Sequence, residues 1–509
     1  MLSQANQNSS DRRRFLVAAA AIAVGAVSAA GSDAIAANPG VRNSAGGVML
    51  RPNGNQNLFR VRVELEVEGN VNLPKNALIS RKSALQLPIA TSATLDYEEQ
   101  LRRKSGSDPT IAMANRFYHV AKSQGSLNEV EQSYALRDSV RETIIRRDVT
   151  PELMYSVDDY FDREELDLLR LPVSSLGVDE LLPTEAVSVG STYSPSSDAV
   201  ASALCLSSVE ATEMVAEVVE ITASEAKIHF KGNVEGSYEG VPTTVRTVGK
   251  LTFDRRIGAC TWLAMAVHET REIGKAEPGF DVSATVKMLR KPMPKPVALT
   301  ASDQKLNPGT EIPLDRLYVD LTSREVGLGV LMDRRWRMMA DVPGAAMMRM
   351  IDNDRSIAQC DFRPLATLPA GSQWTLEAFE QDIKKTLGEQ LSDIVSSEQR
   401  VSETGLRVLR VTASGAVEDV PIQWTLMHFS DDSGRRLLAT FTMEAKNAST
   451  FAGSDHQLGS SLRLIDRKKP VAEAISARSG NDGETRIARL NKSNESPKPQ
   501  VQSASDLSR

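Results

Sequence analysis

The sequence predicts an α+β protein in which a curled antiparallel β-sheet domain with helices precedes a smaller α/β sandwich domain. Residues 59–67 alternate strictly between apolar and polar side chains, which is the period of a half-buried strand. Four long β-patterns follow one another in residues 225–290 and are separated by turn residues, as in an antiparallel meander. Thr375 precedes apolar residues at helical spacing, which predicts a helix in the second half of the chain.

Changes in composition divide the 509 residues into six segments. They are an export signal at 1–37, a flexible leader at 38–57, an antiparallel β-rich domain at 58–290, a proline-rich linker at 291–316, an α+β domain at 317–465 and a disordered tail at 466–509.

The first segment has the three parts of a cleavable export signal. Arg12 and Arg13 precede Phe15, Leu16 and a run rich in Ala and Val, which ends near a small-residue Ala-x-Ala cleavage site. The arginine pair resembles a twin-arginine translocation signal, although two flanking positions depart from that pattern and general secretion stays an alternative. The sequence therefore predicts a periplasmic or secreted protein, soluble after cleavage and without a transmembrane span in the mature chain.

The first domain is predicted to be mostly strands. Strands are expected at 59–67, 85–97, 141–147, 226–232, 241–253, 259–273 and 280–290, with turns at 233–240 and 254–258. The apolar spacing of 110–123 predicts a helix, and the capping-box pattern of Asp162 and Glu165 predicts the start of another.

The second domain is predicted to surround one helix with strands. Strands are expected at 326–332, 336–341, 345–352, 356–362, 406–413, 420–429 and 435–444, with a short closing helix at 449–462. Leu376, Phe379, Ile383 and Leu387 form the apolar stripe of the main helix, which Thr375 caps.

Few residues suggest catalysis or metal binding. Cys205, Cys260 and Cys360 lie far apart without a Cys-x-x-Cys, so neither a disulfide framework nor a zinc site is predicted. His268-Glu269 begins like a zinc-protease motif, but Glu272 stands where the second His is required. No cofactor is predicted, and the net charge of −6, with no basic stripe carrying aromatics, argues against nucleic-acid binding.

Methionine and tryptophan supply two further candidate groups. Six methionines fall within residues 332–350, where core packing is favoured over a Cu(I) site because strand neighbours point to opposite faces. Trp262 and Trp424 are predicted to be core residues. Trp336, with Arg335 and Arg337 beside it, is the best candidate for a contact surface, and core packing is its alternative.

The order of elements in the second domain resembles the PsbP/DcrB-like fold. The resemblance rests on Arg335-Trp336-Arg337 after a short strand and on Asp432-Ser-Gly-Arg435 before the last strand, with Phe451 and Leu458 in the closing helix. Members of that family are mostly small exported or lumenal proteins that support larger assemblies. The resemblance implies no catalytic residues.

The first domain resembles exported bacterial β-domains over the phrase from Leu182-Pro183 to Tyr193 and the meander that follows. A curved antiparallel sheet under a helical lid is also similar to the LolA/LolB lipoprotein carriers. Together these features predict an exported, soluble, non-catalytic envelope protein that binds a partner protein or an apolar ligand. The alternative is a periplasmic hydrolase of unknown substrate.

Overall fold

The computed structural model describes residues 47–73, 85–104, 110–149, 152–300, 309–369 and 371–467. The export signal with Arg12, Arg13, Phe15 and Leu16, residues 38–46 of the leader and nearly all of the tail lie outside the described residues. The chain divides into two compact units. Unit 1 comprises Met1–Asp320, Met332–Arg337 and Ile351–Ser356, and unit 2 comprises Leu321–Leu331, Met338–Met350 and Ile357–Arg509.

The described residues form mostly antiparallel sheets with few helices, so the α+β expectation gave too much weight to helix. The sheets have 13, 7 and 3 strands. The curl of the first sheet stays a prediction.

The 13-stranded sheet belongs to the first half of the chain. Its strands are β1 Leu58–Leu73, β2 Leu85–Arg103, β3 Ile111–Leu127, β4 Val130–Ala135, β5 Glu142–Arg146, β6 Leu153–Ser156, β7 Thr192–Tyr193, β8 Ser208–Thr212, β9 Val215–Ile221, β10 Glu225–Tyr238, β11 Val241–Asp254, β12 Ala259–Arg271 and β13 Gly279–Pro292. Their main spatial order is β6-β5-β3-β2-β1-β13-β12-β11-β10-β9-β7, with β4 beside β3 and β8 beside β10.

Strand β1 lies in the middle of this sheet, between β2 and β13. Val61 pairs with Tyr97 of β2 and with Arg290 of β13. The apolar side chains of the predicted alternation, from Phe59 to Val67, are at most 2% exposed. The alternation therefore predicted the buried face of β1 correctly.

The helix predicted at 110–123 is wrong, because residues 111–123 belong to strand β3. Residues 111–116 are all buried, and β3 pairs with β2, β4 and β5. A strand that is buried on both faces shows no period of two, and its apolar run also fits a helical spacing. The backbone hydrogen bonds of β3 to three neighbouring strands therefore stabilise the extended conformation over the helix.

The predicted turn at 233–240 is much shorter in the structure. Strand β10 pairs with β11 as far as Tyr238 and Val241, which leaves Glu239 and Gly240 as the two turn residues. Their φ angles of 48° and 87° lie in the left-handed region that tight hairpin turns require.

The buried face of the sheet is covered partly by residues 157–206, here called the covering segment. It contains helices α1 Arg163–Leu169 and α2 Ser197–Leu204 and the 3-10 helix Val178–Leu181. The predicted capping box is confirmed, because Glu165 N donates to Asp162 Oδ1 at 2.7 Å and Asp162 N donates to Glu165 Oε2 at 2.9 Å. Leu166, Leu168 and Leu169 of α1 are buried.

Part of the segment predicted as a linker makes contacts with the large sheet. The backbone N–H groups of Val297 and Ala298 donate to the carboxylate of Glu98 at 2.8 and 3.1 Å. Thr300 N donates to Glu142 Oε1 at 3.0 Å. These hydrogen bonds lie within unit 1.

The remaining elements follow the linker. They are the 3-10 helix Leu314–Leu317, β14 Val319–Ser323, β15 Leu328–Met332, β16 Trp336–Val342, β17 Ala345–Asp352, β18 Arg355–Leu365, α3 Leu376–Leu387, β19 Leu391–Val401, β20 Arg407–Val417, β21 Val420–Ser430, β22 Arg436–Glu444, α4 Ala448–Phe451, α5 Ser454–Ser461 and β23 Arg463–Leu464. The 7-stranded sheet has the order β16-β17-β18-β22-β21-β20-β19.

Helix α3 packs on this sheet as its pattern predicts. Thr375 caps it by accepting from Ala378 N at 3.2 Å. Phe379 and Ile383 are 1% exposed and pack in a cluster with residues of β20 and β21 such as Trp424. The prediction of one closing helix is corrected to the two short helices α4 and α5.

Candidate functional site

The predicted contact residues do not form an exposed surface. Trp336 is fully buried, which corresponds to the core alternative for a large apolar side chain. Arg337 donates to Glu239 at 2.6 Å and its side chain is only 12% exposed. Arg335 alone is partly open to solvent, and it pairs with Asp333 at 3.0 Å.

The six clustered methionines divide into three buried side chains and three half-buried ones, the latter being Met338, Met339 and Met347. Met332, Met348 and Met350 are fully buried, as expected for core methionines. In the described part of the chain, no group of three or more His, Cys, Asp or Glu side chains could hold a metal ion. All three cysteines are free thiols, and burial raises the pKa of Cys205 to about 12. The thiolate form that would react or bind metal is therefore disfavoured there.

A buried polar network ties the covering segment to the sheet. Ser175 Oγ donates to Glu99 Oε1 at 2.7 Å, and Arg116 Nε donates to the same oxygen at 2.9 Å. The Tyr97 hydroxyl lies 2.9 Å from Ser175 Oγ. Burial raises the pKa of Tyr97. Glu99 and Ser175 are 0% exposed, so a substrate could not reach them without unfolding the covering segment.

A second buried link joins Asp179 of the covering segment to the sheet. Arg290 Nη1 donates to Asp179 Oδ2 at 2.7 Å, and Cys260 N donates to Asp179 Oδ1 at 2.8 Å. The Arg290 guanidinium also stacks 4.0 Å from the centre of the Phe59 ring. Both carboxylate oxygens of Asp179 therefore have a donor inside the protein, as a structural link requires.

The inner face of the 225–290 meander is filled by the protein itself. Val234, Val245, Met265 and Val286 are at most 5% exposed. The larger cavity described, about 780 Å³, is lined mostly by polar residues of β1–β4, such as Glu66 and Gln124. An apolar ligand needs an unfilled apolar face, which neither these buried side chains nor this mostly polar cavity provides.

The outer face of the same meander carries an exposed apolar pair. Trp262 of β12 and Leu289 of β13 are direct cross-strand partners, with 38% and 40% exposure. The prediction that Trp262 is a core residue is therefore wrong. The signal was present, because Leu263, Met265 and Val267 form the buried side of β12 and leave Trp262 on the other side.

Two lysines lie next to this pair. Ala264 of β12 has Lys250 as its partner in β11 and Lys287 as its partner in β13, and both lysines are exposed. Neither lysine makes an ion pair among the described residues. We define Trp262, Leu289, Lys250 and Lys287 as the outer patch. It combines an aromatic anchor with two lysines, of which Lys287 has Glu64 of β1 as its cross-strand partner. An aromatic anchor beside positive charge suits recognition of an acidic protein surface.

A Ser, a His and an Asp also meet on this outer face. His268 Nδ1 lies 3.5 Å from Ser283 Oγ, and His268 Nε2 lies 3.5 Å from Asp281 Oδ1. Both distances are at the outer limit of a hydrogen bond. The side chains of His268 and Asp281 are 41% and 55% exposed, so water competes for both contacts.

Comparison with known proteins gives similarity of structure only. No family model matches the sequence, and no curated protein sequence matches it. Of this chain, 31% is similar to cyanobacterial PsbP from Synechocystis sp. PCC 6803, with 13% identity, a TM-score of 0.23 and 96% of PsbP covered. A match to a Mog1 variant covers 29% of this chain and 96% of Mog1, with 6% identity and a TM-score of 0.23.

A longer match is to lipovitellin, over 50% of this chain, with 10% identity and a TM-score of 0.27. The chain spans only 27% of lipovitellin, and it spans 48% of a matched protein from Bacteroides thetaiotaomicron. At such TM-scores the similarities carry no argument about function. No helix in the described ranges has the length and apolar character that crossing a membrane requires.

Proposed function

We propose that this protein is exported to the cell envelope and binds an acidic partner protein there through the outer patch, without catalysing a reaction. Export is supported by the signal pattern around Arg12 and Arg13. Binding without catalysis is supported by the buried polar networks, because their side chains bond one another and hold the covering segment on the sheet.

The observation that carries the proposal is the exposed cross-strand pair of Trp262 and Leu289. Exposed Trp side chains are rare on protein surfaces and frequent at the centres of interfaces. The buried alternate residues hold β12 and β13 rigid, so binding needs little ordering of the backbone.

The test is site-specific photo-crosslinking in the envelope of living cells. A photoreactive residue at position 262 is expected to give one recurring protein adduct, whereas the same residue at Thr244, which is exposed on the adjacent strand β11, gives none. The partner identified in this way is then purified and titrated against the full chain.

Trp262→Ala is expected to weaken that binding by about 30-fold, the effect of an interface hot spot of about 2 kcal/mol. Reversing both charges, with Lys250→Glu and Lys287→Glu, is expected to slow association and to reverse its dependence on salt, because salt then screens a repulsion. The control is Val395→Ala, because Val395 is an exposed apolar residue of β19 with 60% exposure. Equal affinity of Trp262→Ala and wild type would refute the proposal.

The Ser283–His268–Asp281 arrangement supports a second candidate function, hydrolysis by an activated serine. The full chain would then cleave p-nitrophenyl acetate, and His268→Ala would reduce the rate by about 100-fold, as loss of a general base does. His456→Ala serves as the control because His456 is exposed and lies in helix α5. A rate that is unchanged in His268→Ala would exclude this activity.

A further inference from the structure

A cluster of charged side chains lies in unit 1 where helix α1, the β10–β11 turn and residues 332–337 meet. Glu239 of the turn is its centre, and it accepts from Arg170 at 2.8 Å and from Arg337 at 2.6 Å. Arg163 pairs with Asp167 at 3.1 Å and lies 3.6 Å from both Glu239 and Glu277. Burial acts to raise the pKa of Glu239, but the surrounding arginines hold that pKa well below the ordinary value.

Arg334 belongs to this cluster, but no carboxylate among the described residues forms an ion pair with it. Its Nε and Nη2 atoms are buried and have no hydrogen-bond acceptor among those residues. Burial, followed by the charges of Arg170 and Arg163, lowers the pKa of Arg334 to about 9. The charge of Asp333, the acid next to it in the chain, acts to raise that pKa, but the Asp333 carboxylate accepts from Arg335.

The charges of the cluster do not balance. The four guanidinium groups of Arg163, Arg170, Arg334 and Arg337 face the three carboxylates of Asp167, Glu239 and Glu277, and each carboxylate is already within ion-pair distance of another arginine. A buried charge without a counter-charge is strongly unfavourable. Arg334 has two unused buried donors and no ion pair, whereas Arg337, whose Nε is also without a hydrogen bond, is paired with Glu239.

We propose that the Arg334 cluster is a binding site for an oxyanion, namely a phosphate group. The Nε–H and Nη2–H donors of Arg334 are the two that form the planar fork by which arginine binds such groups in a bidentate manner. Arg170 and Arg163 add positive charge, while Arg337 is paired with Glu239 and lies 3.6 Å from Glu277. Arg170 and Glu239, at 35% and 28% side-chain exposure, are the most exposed of the ion-paired members of the cluster.

The test uses inorganic phosphate and the full chain. Calorimetric titration with phosphate, against chloride at equal ionic strength, is expected to show one saturable site and a rise in the melting temperature that follows occupancy. Arg334→Met is expected to weaken phosphate binding by at least about tenfold, because a charged hydrogen-bond donor pair is lost. Arg334→Lys, which keeps the charge without the fork, is expected to bind with intermediate affinity.

A second readout separates binding from a purely structural role. In buffer without phosphate, Arg334→Met is expected to melt at or above the wild-type temperature, because it removes an unpaired buried charge. Arg335→Met is the matched control, since Arg335 pairs with Asp333 and its loss should leave phosphate binding unchanged. Absence of saturable phosphate binding by the wild type, or an unchanged affinity in Arg334→Met, would overturn the proposal even if one variant fails to fold.

A phosphate group can come from the free ion or from the headgroup of a lipid. Two further titrations, with a short-chain phosphatidate below its micelle concentration and with glycerol 3-phosphate, distinguish these sources. If the lipid binds at least about tenfold more tightly than both small anions, a difference of about 1.4 kcal/mol, the ligand is a phospholipid headgroup. If all three bind equally, the site recognises the phosphate group alone.

Discussion

At the scale of single residues, buried ion pairs connect parts of the chain that are far apart in sequence. Asp179 and Arg290 are 111 positions apart, and the arginine side chain is 0% exposed. Asp179→Ala is expected to destabilise unit 1 by about 3–5 kcal/mol, because it leaves Arg290 buried and unpaired. Urea unfolding measures the loss, and Asp179→Ala with Arg290→Met should recover part of it. Asp158→Ala, at an exposed position of the covering segment, should change stability by less than about 0.5 kcal/mol.

Glu98 gives a prediction for acid pH at the same scale. Burial opposes its ionisation, but hydrogen bonds from Val297 N and Ala298 N hold the pKa of Glu98 below its ordinary value of 4.5. The ionised carboxylate therefore contributes stability that is complete above about pH 4.5 and is lost as the pH falls through the folded-state pKa. Unfolding measured from about pH 6 to about pH 3 should show a shallower decline for Glu98→Gln than for wild type or for the exposed Glu66→Gln.

At the scale of elements, the sequence was informative where one face of a strand or helix is buried and the other is solvated. β1, β12 and α3 have this arrangement. The sequence pattern gave the wrong structure for β3, because the first half of this strand is buried on both faces. The pattern also missed β19, an edge strand whose residues are mostly exposed and which has no apolar alternation.

The candidate site was missed for a related reason. Trp336 and Trp262 both lie in strands, and the arginines around Trp336 made it look exposed. Burial of Trp336 depends on packing that no local pattern records, whereas exposure of Trp262 could have been predicted from the alternation of β12. The Arg334 cluster brings together residues from four separate stretches of the chain, so no local motif could have indicated it.

The N-cap of α3 allows a direct measurement for one element. Thr375→Ala removes the hydrogen bond to Ala378 N and is expected to destabilise unit 2 by about 1 kcal/mol. Thr375→Ser keeps the hydroxyl and should stay within a few tenths of a kcal/mol of wild type. Denaturant midpoints with an unchanged slope provide the comparison, and equal midpoints for the two variants would mean that the cap does not stabilise the helix.

At the scale of the whole molecule, the sequence pattern predicts that residues 317–465 can fold as an independent domain. Residues 332–337 and 351–356 group with unit 1, and Arg337 has its ion pair with Glu239. A fragment that starts at 317 lacks Glu239. We therefore expect a soluble fragment that melts cooperatively but at a lower temperature than unit 2 in the full chain. Arg337→Met should raise that temperature in the fragment, and calorimetry would detect a missing transition if the fragment does not fold.

The pairing of β1 with β13 has a consequence for the order of synthesis. The ribosome makes β1 about 200 residues before its partner, which at about 5–20 residues per second is a delay of roughly 10–40 seconds. During that time the nascent chain has β2 on one side of β1 and an open edge on the other, which is a template for aggregation. The topology would then require a chaperone that binds the early nascent chain and releases it once residue 292 has left the exit tunnel. Moving residues 225–292 ahead of β1 within the chain would place β13 directly before β1 and would shorten this interval to a few seconds.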